Sequence, residues 1–186
     1  MTRPPTFPAR LATARLVLRR YRQDDAAQLL QMVEEERRRL AEVLVDPVFK
    51  LQGVDNAAGL VAFLAKEWQG GRRFIISLWD RSGSLAGECY VGGVVDGEIE
   101  VGIFLRQRYE RCGLAEEALN ACIQAVHARW PHARLNYRCD TDNVRSCALA
   151  LRCGFQRQST TAGGRRRRDG SMADVVLYSL APPAAE

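Results

Sequence analysis

Histidine and lysine are nearly missing from this chain of 186 residues: His127 and His132 are its only histidines, Lys50 and Lys66 its only lysines. His127 falls near the end of a helical stretch and His132 just beyond it, where an imidazole most often is solvated or offsets the helix dipole. A Ser-His-Asp triad, an H-E-x-x-H zinc site and a two-histidine facial triad all lack their parts. The chemistry must come from carboxylates, hydroxyls, thiols and backbone groups. Long apolar runs are missing too. The longest, Gly59–Ala65, is far short of the roughly 20 residues a membrane span needs. The opening Met1-Thr2-Arg3-Pro4-Pro5 lacks the apolar core of a secretory signal, which gives the expectation of a cytoplasmic protein without signal or anchor. Six cysteines (Cys89, Cys112, Cys122, Cys139, Cys147, Cys153) are present, but no pair has C-x-x-C spacing. Neither a disulfide framework nor a metal site is expected.

What is present is an ordinary globular composition, 47% hydrophobic and 26% charged, which suits one domain spanning residues 1–186. The net charge is +5, yet four arginines stand in one run, Arg165–Arg168, and without them the balance is 5 − 4 = +1. The basicity is local, so no specific nucleic-acid partner is expected.

Hydrophobic periodicity orders the elements. Arg15–Arg20 reads as a first strand, and Asp24 and Asp25 cap a helix running to about Leu44, before Pro47. Asp55 or Asn56 caps a second helix, closed by Gly70-Gly71. Strands follow at 74–79 and 85–95, then Asp96-Gly97, a strong hairpin signal, then Glu98–Leu105 with apolar residues at 99, 101, 103 and 105. A helix from Leu114 to Trp130, a strand at 135–139, a helix at 143–153, a strand opened by Gly154-Phe155 and a last strand at 175–180 complete the chain. This order, β-α-α-β-β-β-α-β-α-β-β, predicts an α+β fold whose sheet is mixed, an antiparallel half joined to a parallel pair by crossover helices. Ligands in such sheets bind at carboxyl ends of strands where strand order changes, here beside Arg111–Ala115.

Two segments carry chemistry. The junction Leu105-Arg-Gln-Arg-Tyr-Glu-Arg-Cys-Gly-Leu-Ala115 brings a strand into a helix through a glycine, and free N–H groups at a helix start can bind an anion such as a pyrophosphate. A tight turn accounts for the same residues. The second segment is Asp142-Asn-Val-Arg-Ser146 followed by Gly154-Phe155, which also reads as a capped and terminated helix. Glu100 stands in mid-strand among apolar residues, where a carboxylate either faces a wet cleft or shares a solvated face with Glu98.

Together with the opening Leu16-Val-Leu-Arg19 and Asp25-Ala26, the strand Ile99–Leu105 and the loop-helix Gly113–Leu119, the N-x-x-S…G-F segment resembles the GNAT acetyltransferase superfamily, and within it the Rim-type N-acetyltransferases of ribosomal protein N-termini. The resemblance covers about residues 10 to 182. It implies a seven-stranded, mixed and split central sheet flanked by four helices, with acetyl-CoA as co-substrate and no metal. In the family, the loop Gln/Arg-x-x-Gly-x-Gly/Ala cradles the pyrophosphate on its amides. Arg111, Cys112, Gly113, Leu114 and Ala115 take that place here, but the first loop position is Glu110, a carboxylate that must point away or loosen binding, with Arg111 to compensate. Ile103, Phe104 and Leu105 would hold the pantetheine arm and polarise the thioester carbonyl, and Asn143 and Ser146 would also contact the cofactor.

Many members place a tyrosine seven residues after that asparagine as the acid for the departing thiolate. Here that residue is Ala150. Like the Rim type, the chain instead offers Ser146, the candidate general acid, with Glu100 the candidate general base. Cys112 and Cys147 lie near the expected cofactor as small apolar residues or as nucleophiles. The implied activity is acetyl transfer to a primary amine, such as a protein N-terminal α-amine, by direct attack in a ternary complex, from a monomer or homodimer. Acetylation of an amino acid, polyamine or antibiotic stays open, as does a CoA-binding regulatory module without catalysis. The arginine run is a solvated turn, or a basic rim that attracts an acidic acceptor or RNA.

Overall fold

The first described elements are two short antiparallel strands, β1 (Arg10–Ala12) and β2 (Leu16–Arg20). The structure, a computed structural model, describes residues 6–40 and 52–183. A 3-10 turn, Gln23–Asp25, leads into α1 (Ala26–Leu40), and α2 (Val54–Gln69) follows. Strands β3 (Arg73–Asp80), β4 (Leu85–Gly92) and β5 (Glu98–Leu105) form a meander, then α3 (Leu114–Arg129), β6 (Arg134–Asp140), α4 (Val144–Arg152), β7 (Gln156–Arg166) and β8 (Met172–Leu180). Among the described residues, no helix is long and apolar enough to cross a membrane.

The sheet has eight strands in the order β1-β2-β3-β4-β5-β6-β8-β7, one more than the seven expected. The addition is β1, too short to show a period and defined by its ladder with β2. The second helix also starts earlier than expected. Gly53, extended, is its N-cap without a side-chain cap, and Asp55 sits in the first turn, where a carboxylate meets the positive end of the helix. The first helix was expected to reach Leu44, and residues 41–44 lie outside the described ones. Asp25 serves the helix start as the acceptor in a capping box, taking the Arg22 N–H at 2.6 Å. Asp96 and Gly97 both have positive φ (50° and 78°), the pairing of a tight two-residue hairpin.

Strand alternation sends apolar residues to both faces. Leu16, Leu18, Phe74, Ile76, Ile99 and Val101 pack under α3 and α4, while Ile75 and Trp79 pack under α1 and α2 with Leu29, Met32 and Val61. On α3, Leu114, Ala118, Leu119, Cys122 and Val126 recur at helical spacing and are all buried.

The sheet then divides. Among the described residues its only parallel ladder, β5 with β6, holds for Glu98–Glu100 against Arg134–Asn136. Beyond it, β5 pairs through residues 101–105 with β4 alone, and β6 turns to β8. A wedge opens between the two parallel strands at their carboxyl ends. One edge of β5 faces it. The Arg106 N–H donates to Ala86 O on the β4 side, so across the planar trans peptide the Leu105 carbonyl points into the wedge.

Candidate active site

The wedge continues into a groove of about 940 Å³, walled by the end of β5, the start of α3, the end of β6, the start of α4 and the tip of the β7–β8 hairpin. Of the residues expected from the sequence, Ile103, Phe104, Leu105, Arg111, Ala115, Asn143 and Ser146 line it. Cys112, Gly113 and Leu114 complete the loop between Arg111 and Ala115. Glu100 is not part of the lining. It lies at the closed end of the wedge, half-exposed, in an ion pair with Arg138 at 2.9 Å.

At one end of the groove, α3 begins without any side-chain cap. Its N-cap, Gly113, has φ 75°, and Arg111 two residues earlier has φ 61°, both in the left-handed region. That backbone leaves the first-turn amides of a four-turn helix without intrahelical partners, beside the lining residue Ala115. An uncapped helix start of this kind fits an anion. The loop is tied down from outside the groove: Arg15 donates from Nη1 to Cys112 O at 2.6 Å and from Nε to Glu117 at 2.7 Å. Cys112 itself is exposed.

At the other end, Asn143 caps α4 by accepting the Ser146 N–H at 3.1 Å. The cap places Ser146 Oγ 2.8 Å from the hydroxyl of Tyr137, which reaches up from β6 and is 3% exposed. Burial is the main reason that the Tyr137 phenol lies well above its ordinary pKa, so it keeps its proton at every physiological pH. Beneath the same turn, the Cys139 and Cys147 sulfurs are 3.6 Å apart, and burial pushes the Cys139 thiol up to about 12. A thiol so protonated is no nucleophile.

The hairpin tip closes this end. Arg165 donates from Nε to Asp140 Oδ1 at 2.8 Å, and Arg167 pairs with Asp142. The Arg165 hydrogen bond is the main reason the Asp140 carboxyl lies below its usual range. Two of the four consecutive arginines are thus matched by aspartates in the groove wall.

Glu110, the residue out of place in the loop, does not face the α3 amides. Its Oε1 accepts from Arg39 Nη1 at 2.5 Å and its Oε2 from Arg145 Nη1 at 2.7 Å. Arg39 comes from the last turn of α1, which is pinned to the β5 end by neighbouring carboxylates. Glu35 pairs with the buried Arg106, and Glu36 accepts the Gln107 N–H at 2.8 Å.

On the α1/α2 face of the sheet lies a second carboxylate, Glu88 of β4. It is 5% exposed, accepts a short hydrogen bond from Tyr21, and sits opposite Phe104 in the ladder. Burial, reinforced by Glu88, raises the Tyr21 phenol. Arg39, Tyr137 and Glu88 were not singled out in the sequence. A clue to Tyr137 existed in its alternation with Leu135 and Cys139, which assigns all three to the α4 face of β6.

A sequence profile for the acetyltransferase (GNAT) domain matches residues 15–156. No curated protein matches the chain in sequence. Among solved structures, the chain is similar to RimL, the ribosomal L7/L12 alpha-N-protein acetyltransferase in complex with coenzyme A. The two are 19% identical over 95% of this chain and 98% of that one, with a TM-score of 0.82. Similar folds are the microcin C7 self-immunity acetyltransferase MccE in complex with acetyl-CoA and AMP (18% identity, 95% and 98% covered, TM-score 0.84) and the ribosomal-protein-S5-alanine acetyltransferase of Vibrio fischeri (15%, 94% and 97%, 0.84). The profile match takes in β5, the loop, α3, β6 and α4, the elements that frame the groove, and the chain belongs to the GNAT acetyltransferase family.

Proposed function

We propose that this protein transfers the acetyl group of acetyl-CoA to a primary amine, with a protein N-terminal α-amine as the acceptor class, by direct attack within a ternary complex. The observation that carries the reading is the occupancy of one groove by two complementary ends: an uncapped helix start suited to a pyrophosphate, and a hydroxyl pair, Ser146–Tyr137, suited to a departing sulfur. Between them the Leu105 carbonyl, which accepts from Arg39 Nη2 at 2.5 Å, has a second lone pair for an amide of the pantetheine arm. Asn143 spends its Oδ1 on the cap, which leaves its amide nitrogen for the same arm.

The amine nitrogen attacks the thioester carbonyl carbon, a proton leaves the nitrogen, and the C–S bond breaks. Ser146 Oγ–H protonates the sulfur; the Tyr137 hydroxyl, donating its hydrogen bond to Ser146 Oγ, orients that proton and keeps its own, and water in the groove restores the serine. An α-amine of pKa near 8 is roughly a quarter neutral at pH 7.5, whereas a lysine is about 0.1% neutral. A site without histidine in its lining therefore suits the α-amine, which needs only a modest base. Glu100, the base expected from the sequence, stands four residues behind Phe104 along β5, about 13 Å. Glu88, likewise outside the groove lining, is level with Phe104 and so the nearer carboxylate along the strands. RimL and the S5-alanine enzyme, named for ribosomal protein substrates, support the acceptor class.

A thermal melt with and without acetyl-CoA tests the reading. Ligand at 100 times Kd adds about 2.7 kcal/mol, a rise of roughly 5–11 °C for a chain this size. A rise with acetyl-CoA but not adenosine, followed by thiol release with N-terminal peptides, is the expected result. No rise at millimolar acetyl-CoA, and no thiol release with any amine, would overturn it.

A further inference from the structure

Glu110 stands where a polyanionic ligand would approach, and it is held by two guanidinium groups that also border the groove. Arg39 reaches it from α1 and Arg145 from the first turn of α4, so the three side chains bridge the mouth of the groove from one helix to the other. Arg39 is fully engaged: Nε donates to Glu36 at 2.6 Å, Nη1 to Glu110 at 2.5 Å, and Nη2 to the Leu105 carbonyl at 2.5 Å. The last bond uses the acceptor that points into the wedge. Arg145 is 62% exposed and has Glu110 as its partner, so it can turn to another anion at little cost. A carboxylate with one arginine on each oxygen presents the arrangement a phosphate would take between the same two groups.

We propose that Arg39 and Arg145 are phosphate ligands for the co-substrate, and that Glu110 is a built-in competing anion. The diphosphate of acetyl-CoA takes over the two guanidinium groups from the carboxylate. Binding is then an exchange of ion partners, and its affinity is set by how firmly Glu110 holds the pair. This inference rests on the acetyl-CoA reading above. It also gives the acidic residue at the start of the loop a role, since a carboxylate beside a diphosphate weakens binding unless its own partners are the ones transferred.

The test is calorimetric titration of the wild-type protein, Glu110→Gln and Arg145→Gln with three probes: acetyl-CoA, 3′-phosphoadenosine 5′-diphosphate, and S-acetylpantetheine, which carries no phosphate. Glu110→Gln should bind the two phosphate-bearing probes tighter, by up to about 25-fold, since two ion pairs of up to about 1 kcal/mol each no longer have to be broken. Arg145→Gln should bind them more weakly, by up to about fivefold. Neither change should move S-acetylpantetheine. Equal affinities in all three proteins, weaker binding by Glu110→Gln, or equal effects on the phosphate-free probe would each overturn the inference while leaving the acetyltransferase reading in place. A wild-type protein that binds none of the probes while Glu110→Gln binds acetyl-CoA would support it in its strongest form. Absence of binding by all three proteins would sink both.

Discussion

Ser146→Ala removes a proton donor and, at the same time, the hydrogen-bond partner of a buried phenol, so its effects on stability and on rate can be worked out separately. Tyr137 is 3% exposed and shares its 2.8 Å hydrogen bond with Ser146 Oγ. Deleting Oγ strands the phenol in a place where burial already raises its pKa. An unsatisfied buried polar group costs about 1–3 kcal/mol, which lowers Tm by roughly 2–12 °C in a chain of this length. The cap survives, because it is made by the Ser146 backbone N–H. Tyr137→Phe removes the phenol together with its need for a partner, and Ser146, half-buried beside the groove, can turn to water, so the cost is below about 1 kcal/mol. The double variant should therefore be more stable than Ser146→Ala alone. Urea unfolding of the four proteins measures this cycle. The rates run differently: kcat falls about 10²–10⁴-fold in Ser146→Ala, with a smaller loss in Tyr137→Phe, and acetyl-CoA affinity stays near wild type in both. A Ser146→Ala protein with unchanged Tm and unchanged kcat would refute the reasoning. Lost stability with kcat intact would reduce Ser146 to a structural partner of Tyr137.

Three further outcomes are expected. Gly113→Ala forces a side chain into φ 75°, with ordinary contact to Arg15 at 3.5 Å, so backbone strain of about 1–2 kcal/mol should lower Tm by roughly 2–8 °C; an unchanged melt would contradict the left-handed cap. Glu88→Gln should move the pH–rate profile upward and Glu100→Gln should not, and the reverse pattern would return the base to Glu100. The Asp140 carboxyl is depressed, chiefly by its Arg165 hydrogen bond, so the pair's contribution is fully present above about pH 4 and is lost as pH falls through the depressed folded value. Arg165→Gln should therefore lower the urea midpoint at pH 7 and flatten its decline between pH 4 and pH 2, and parallel curves for the two proteins would argue against it.

Local patterns carried most of the fold. Asp96-Gly97 marked its hairpin because few residue pairs accept two positive φ values, and Ile99, Val101 and Leu105 marked the buried face of β5 by strict alternation. Ile103 broke that burial because it lines the groove, a site effect that periodicity has no means to express. Gly113, Asn143 and Ser146 were legible since caps and tight turns are local grammar. Arg39 was hidden among three consecutive arginines, and nothing in a helix face says that its last turn reaches the loop after β5. Tyr137 required knowing that α4 folds back over β6. The arginine run read as loose basic charge because its aspartate partners, Asp140 and Asp142, lie 25 positions away in the chain.

The split between β5 and β6 has a consequence for the exchange of amide hydrogens with solvent. Along β5 the direction of each N–H alternates. Those of Gly102, Phe104 and Arg106 turn toward β4, while those of Ile103 and Leu105 turn toward the wedge, where β6 has already parted from β5. Neighbouring amides in a single strand should then exchange on different timescales, the β4-facing set only when the meander itself opens. A molecule lodged in the wedge would slow the odd-numbered set alone, so that its presence is written in the backbone as an every-second-residue pattern.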